Sequence, residues 1–332
     1  MKQKMILTVC LAVLGMLSVK AQQSIIALHH QGNVTIFAGG ELQEAIDASE
    51  KGDTLYLSDG IFSECNLKHG LVILGGGQET IVGGITISSE DSTEVKSGFV
   101  FSGMRVLNKF IIDSNIDGIL IKHLNYDADG YTFDVKSGRT LRGGQIIQSR
   151  IVGEMRFYGL VYDLQVLNSC IWGPNGGGVK NGSVTFINCN VIVNWGAECG
   201  KNIFKNCFCK NTSNGTFINC SYNWDGDSEV RTYIGNHWYY SWSNYFGGSN
   251  HDCDLQIASN QFLTAEQIKE LGWIGTDGTI IGCMGGSAPY TLEIDEPHVT
   301  SKNIVVDNDE RKITVTLKVE SGDNSESSQE GQ

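Results

Sequence analysis

The chain has 332 residues, a formal charge of −13, 41 glycines, three prolines and ten cysteines. A chain this acidic is expected to repel nucleic acid and anionic lipid, which argues against either as a partner. A polyuronate would be repelled as well unless local basic residues or a bound cation offset the field.

Taken from the start, residues 1–21 read MKQKMILTVCLAVLGMLSVKA, with Lys2 and Lys4 ahead of an apolar run from Met5 to Leu17. Val19 and Ala21 sit at the small-residue positions of a cleavage site, so the segment reads as a secretory signal peptide. Its removal takes three lysines and no acid, moving the formal charge from −13 to −16. Val9 precedes Cys10 where a lipid-anchor motif needs a small residue, so lipidation is not expected. No later apolar run reaches the roughly 18 residues of a membrane span. The expected location is the periplasm, the outer surface or the extracellular medium.

His29 and His30 fall in an arm expected to fray. Beyond them, residues 42–62 read LQEAIDASEKGDTLYLSDGIF. Leu42, Ala45, Ile46 and Ser49 share one helical face while Glu41, Glu44, Asp47 and Glu50 occupy the rest. This short amphipathic helix passes through a Gly-Asp turn into an alternating strand.

From there the chain is a repeat of short strands: FVFSGMRVL (99–107), GILIKHLNY (118–126), GQIIQSRIV (144–152), LQVLNSCIW (164–172), VTFINCNVI (184–192), NIFKNCFCK (202–210) and GTFINCSYN (215–223). Each unit alternates apolar residues, reaches a small or polar pivot and resumes as a second strand. Such a unit fits a solenoid of stacked parallel strands rather than a helical array. Short strands with frequent turns also describe a Greek-key sandwich, but Asn168, Asn188, Asn206 and Asn219 recur at equivalent places, and stacked side-chain amides can pair along a ladder.

Nine cysteines follow the signal peptide, an odd number, with no zinc-type spacing. Cys189, Cys207 and Cys220 each follow a pivot asparagine and would form a second column. Two readings stand: buried thiols acting as small hydrophobes, or a disulfide between neighbouring turns.

Together, the lid-like LQEAIDASEKGDTLYL, the strand repeat and the closing segment DGTIIGCMGGSAPYTL (277–292) resemble the pectin-lyase-like superfamily, in particular its secreted bacterial branch without assigned activity. The resemblance covers most of residues 32–292. It implies an all-β, single right-handed parallel β-helix with an N-terminal capping helix. The implied layout is a solenoid over 22–286 with a long aromatic insertion at about 222–256, a β extension over 287–320 and a disordered acidic tail over 321–332.

Near the C-terminus, Thr264-Ala-Glu-Gln267 has the capping-box pattern for a short helix to Leu271, stopped by Gly272. Residues 303–319 read as two strands around an Asn308-Asp309 turn, with Ile313, Val315, Leu317 and Val319 alternating on one face.

The resemblance also implies where chemistry would lie. Lyases of this fold hold Ca²⁺ with acidic residues and use an Arg or Lys as base; its hydrolases use paired carboxylates. The densest acidic cluster is Asp225, Asp227 and Glu229, followed by Arg231: alternating carboxylates can chelate Ca²⁺, with Arg231 as base or clamp, or the segment is a solvent-facing Asx turn. Asn125, Asp127, Asp129 and Gly130 echo the pattern. Arg139 and Arg142 are a basic pair suited to an anionic sugar or to salt bridges. The superfamily's usual lyase and polygalacturonase motifs are missing. Trp238, Tyr239, Tyr240, Trp242 and Tyr245 form an aromatic run suited to sugar faces, or to a satellite core. The expected function is an exported, non-catalytic carbohydrate-binding or surface-scaffold protein. The alternatives are a polysaccharide lyase or glycoside hydrolase acting on a uronate-containing glycan, and a structural adhesion protein whose C-terminal strands add to a partner's sheet.

Overall fold

The computed structural model describes residues 24–174, 183–192, 202–210, 215–223, 231–234, 237–238, 265–270, 272–292, 298–307 and 312–320. It is a right-handed parallel β-solenoid with a lid at its N-terminal end. The chain winds through columns of short strands, each strand pairing in parallel with its counterpart one turn away.

The first column runs from Thr54–Leu57 through Val72–Gly75 and later strands to Arg231–Ile234. The second runs from Gly60–Phe62 through Thr80–Val82 to His237–Trp238. A third starts at Cys65–Leu67 and Ile85–Ser88, and a fourth, smaller sheet holds Val95–Lys96, Asn115–Asp117, Thr140–Arg142 and Leu160–Tyr162.

Period-two alternation explains the core. In the first column Leu55, Ile73, Phe101, Ile121, Ile146, Val166, Phe186, Phe204 and Phe217 are register partners in sequence, and all are buried. A one-residue slip would turn this whole apolar row to solvent, so register is strongly fixed. Phe186, Phe204 and Phe217 stack face to face with centroids 5.0 and 4.8 Å apart. The repeat also continues into the segment read as an insertion, since Arg231–Ile234 pairs with Gly215–Ile218 and His237–Trp238 with Ser221–Asn223.

A solenoid end exposes core and strand edges and needs a cover. Here the cover is the helix Leu42–Asp47, which buries Leu42, Ala45 and Ile46. Its entry is fixed by a 2.8 Å bond from the Ala38 amide to Glu41 Oε2. The histidine arm does not fray. Ile25–His30 is a strand pairing antiparallel with both Asn33–Ala38 and Thr54–Leu57, because Ile26 and Leu28 alternate into the core and His30 Nδ1 reaches Asp53 at 2.9 Å.

The second expected helix is Ala265–Glu270, and Gly272 closes it with φ +72° and a 3.0 Å bond to the Lys269 carbonyl. The C-terminal strands are His298–Asp307 and Lys312–Glu320, paired antiparallel. No helix among the described residues is long and apolar enough to cross a membrane.

Candidate functional site

The corner between the first and second columns organises the molecule's surface. At each turn a single residue takes the left-handed conformation: Gly103, His123, Gln148, Asn168, Asn188, Asn206 and Asn219 have φ between 47° and 65°. Asparagine is among the few side chains that tolerate this region, which explains the recurring pivot.

The amides do not mainly satisfy one another. Asn219 reaches Asn206 at 3.4 Å, but the stronger partners belong to the strap of residues 272–292. Asn219 Nδ2 donates to the Ile274 carbonyl at 2.6 Å, and the Thr276 amide donates to Asn206 Oδ1 at 2.9 Å. Asn188 Nδ2 donates to Asp277 at 3.2 Å, and Asn168 Nδ2 donates to the Gly285 carbonyl at 2.5 Å. Farther along, Gln148 Nε2 donates to the Pro289 carbonyl at 2.8 Å, and His123 Nδ1 donates to the Thr291 carbonyl at 3.1 Å. The strap therefore runs back along the pivots, opposite to the solenoid's growth, and continues past Gly286.

Five rung intervals at about 4.8 Å span about 24 Å, far less than an extended strap would reach. The surplus chain is taken up by tight turns such as the Ile274–Ile280 bridge and the 2.6 Å bond from the Gly275 amide to the Thr279 carbonyl. Two glycines permit the close approach. A Cβ on Gly282 would lie 2.4 Å from the Phe208 ring, and one on Gly286 would lie 2.3 Å from Asn188 Nδ2, and both have positive φ.

Among the described residues, His123 is the last pivot the strap is seen to bond. Toward the N-terminus the same corner contains Gly103 and the turn before Thr80–Val82, where Gln78 lies. Among the described residues, both amide atoms of Gln78 and the Nε of Arg105 are buried without a hydrogen-bond partner. Arg105 is the register partner of Ile81 on one side and Asn125 on the other, and Asn125 pairs in turn with Arg150. Arg150 Nη1 donates to Asn125 Oδ1 at 3.1 Å. Arg105, Asn125 and Arg150 thus form a donor-rich row on consecutive turns of an otherwise acidic molecule, and Gln78 lies in the turn that precedes Ile81, the register partner of Arg105.

The other candidates distribute as follows. Arg139 is committed to Asp113 at 2.8 Å, and Arg142 lies in the strand Thr140–Arg142. Asn125, Asp127, Asp129 and Gly130 belong to the strand Ile119–Val135, not to a loop, with a register shift after Asp127. Asp225, Asp227, Glu229, Tyr239, Tyr240, Trp242 and Tyr245 lie outside the described residues. Arg231 begins a first-column strand. Trp238 is in register with Tyr222 and, through it, with the buried Cys209. Among the described residues no group of three or more His, Cys, Asp or Glu is placed to hold a metal ion.

Ser49 Oγ and His69 Nε2 make a Ser–His contact at 3.0 Å, but Ser49 donates its proton to the Ile46 carbonyl at 2.7 Å. The ring nitrogen must then be the donor, the wrong direction for activating a hydroxyl. Burial, and next the Lys96 ammonium, push His69 below its ordinary pKa, against the pull of Asp53, Asp47 and Glu50. This pair anchors the lid. Sequence reasoning missed Gln78 and Arg105 because neither belongs to a motif; only stacking places them at the uncovered end of the pivot corner.

No protein-family model matches the chain, and no curated protein or solved structure is significantly similar to it.

Proposed function

We propose that the chain is an exported, non-catalytic β-solenoid, akin to the pectin-lyase-like superfamily, that binds an extended carboxylate-bearing glycan. Binding takes place at the corner just beyond the end of the strap. The observation that carries this reading is the set of buried, unanswered polar atoms on Gln78 and Arg105. Leaving such an atom unpaired costs about 1–3 kcal/mol; Gln78 and Arg105 are themselves half-buried, so rotation of either side chain would bring these atoms to a ligand supplying a carboxylate and hydroxyls. A guanidinium is suited to a carboxylate because its donors form a planar fork, and an amide can both donate to and accept from sugar hydroxyls. The parallel stack adds a rigid platform that loses little conformational freedom on binding. The signal-peptide pattern of residues 1–21 supports export, where such glycans are met.

Affinity electrophoresis through gels containing polygalacturonate, alginate or neutral dextran tests the reading. The wild type should be retarded in the uronate gels alone. Arg105→Gln should remove most of the retardation and Gln78→Ala part of it, with unchanged circular dichroism. Equal mobility in every gel, or retardation untouched by Arg105→Gln, would refute the site. Unsaturated or reducing-end products accumulating with the polymer would refute the non-catalytic part.

A further inference from the structure

We propose that Cys170 and Cys283 form a disulfide that locks the strap onto the solenoid. Cys170 opens the second-column strand Cys170–Pro174, whereas Cys283 lies in the strap, 113 residues later in sequence, and their sulfurs are 3.5 Å apart. Both are buried, at 0% and 1% exposure. Cys283 is also held by its backbone: its amide donates to Asn190 Oδ1 at 3.2 Å, and its carbonyl accepts from Asn168 Nδ2 at 3.3 Å and from the Tyr290 amide at 2.8 Å. An S–S bond of about 2.05 Å needs a closing movement of about 1.5 Å, within reach of side-chain rotation while the strap stays in place.

The other described cysteines differ. The sulfurs of Cys189, Cys207 and Cys220 each lie against two backbone carbonyls at 3.1–3.5 Å. Cys209 lies beside Cys207, two residues earlier on its own turn, and Cys220 on the next turn, which backbone pairing already joins, so a link there would constrain little. Burial, with Glu64 adding to it, pushes the Cys65 thiol up to about 12, leaving it unreactive near neutral pH. One bond between Cys170 and Cys283 leaves the other five described cysteines, Cys65, Cys189, Cys207, Cys209 and Cys220, as thiols.

The chemistry is thiol–disulfide exchange with a disulfide oxidant, small-molecule or protein, of the kind found in exported compartments. One thiol loses its proton and its sulfur attacks the oxidant's S–S bond, forming a mixed disulfide and releasing one thiolate. The second thiol then loses its proton and attacks the mixed disulfide, releasing the other thiolate. Two protons and two electrons thus pass to the oxidant, which leaves as two thiols. Neither sulfur is accessible in the closed structure, so the reaction runs before the strap docks or when it opens, and docking afterwards shields the bond from reductant. Closing so long a loop restricts the unfolded chain more than a short loop would.

This inference rests on the export reading for its oxidant, and the test separates the two. Full chain is isolated from the whole culture, cells and medium together, with its free thiols trapped at lysis. A second sample is reduced, unfolded and refolded in a glutathione redox buffer. Both are alkylated in denaturant and mapped by peptide mass without reduction. A Cys170–Cys283 linked peptide in both samples is expected. The link in refolded protein alone supports the pairing and sinks the export reading. Refolded protein with native circular dichroism in which both cysteines are fully alkylated, or are linked elsewhere, overturns the proposal. Oxidation should raise the melting temperature of the wild type by several degrees. That increment should vanish in Cys170→Ala and in Cys283→Ala, whatever each costs in packing; an increment that survives either variant overturns the proposal.

Discussion

A pivot asparagine does two things at once. Its backbone occupies the left-handed region, with φ of 54° at Asn206, and its amide binds the strap through Thr276. The two contributions are separable, because glycine adopts that φ freely but has no amide, while alanine lacks both advantages. Asn206→Gly should therefore cost about 1 kcal/mol for the lost hydrogen bonds, and Asn206→Ala about 1–2 kcal/mol more for the backbone. Chemical denaturation of the two variants checks the order; equal losses would mean that the conformation contributes nothing. The asparagine column was legible in the sequence, but the partners of its amides were not. Repeat spacing shows which residues stack on one another, whereas the strap comes from some fifty to one hundred and seventy residues away.

Among the elements, the lid was the most readable, because a helix of two turns must bury one face and Leu42, Ala45 and Ile46 mark it in the sequence. The strap is irregular and carries no period, so nothing in its sequence marks Gly282 and Gly286 as points of close contact. One carboxylate ties it down. Burial tends to raise the pKa of Asp277, but the Thr279 amide, the Asn188 amide group and the Thr279 hydroxyl outweigh this and hold it below the usual carboxylate range. A depressed carboxylate stabilises the folded state above its unfolded pKa of about 3.9. That contribution is lost as pH falls through the lower folded value. Acid titration followed by limited proteolysis should thus release the strap at low pH, and Asp277→Asn should flatten this dependence while making the strap easier to cleave at neutral pH. Identical acid profiles for the two proteins would count against this role.

For the molecule as a whole, stability is close to a sum of neighbour terms along one axis. The apolar column from Leu55 to Phe217 supplies those terms, and alternation made it visible in the sequence. The strap adds something a simple stack lacks, since it ties turns from His123 to Asn219 into one unit, and its described contacts stop short of Gln78 and Gly103, the corner proposed above as the ligand site. Among the described residues the corner is thus divided into a part the strap closes and a part it does not reach. Hydrogen–deuterium exchange of the full chain, read by mass spectrometry, tests this division most directly. Strap peptides within 273–291 and the pivot turns at Asn168, Asn188 and Asn206 should share slow exchange, and Gly286→Arg should accelerate all of them together. Strap peptides exchanging at the rate of unstructured chain, while the solenoid strands stay protected, would contradict it.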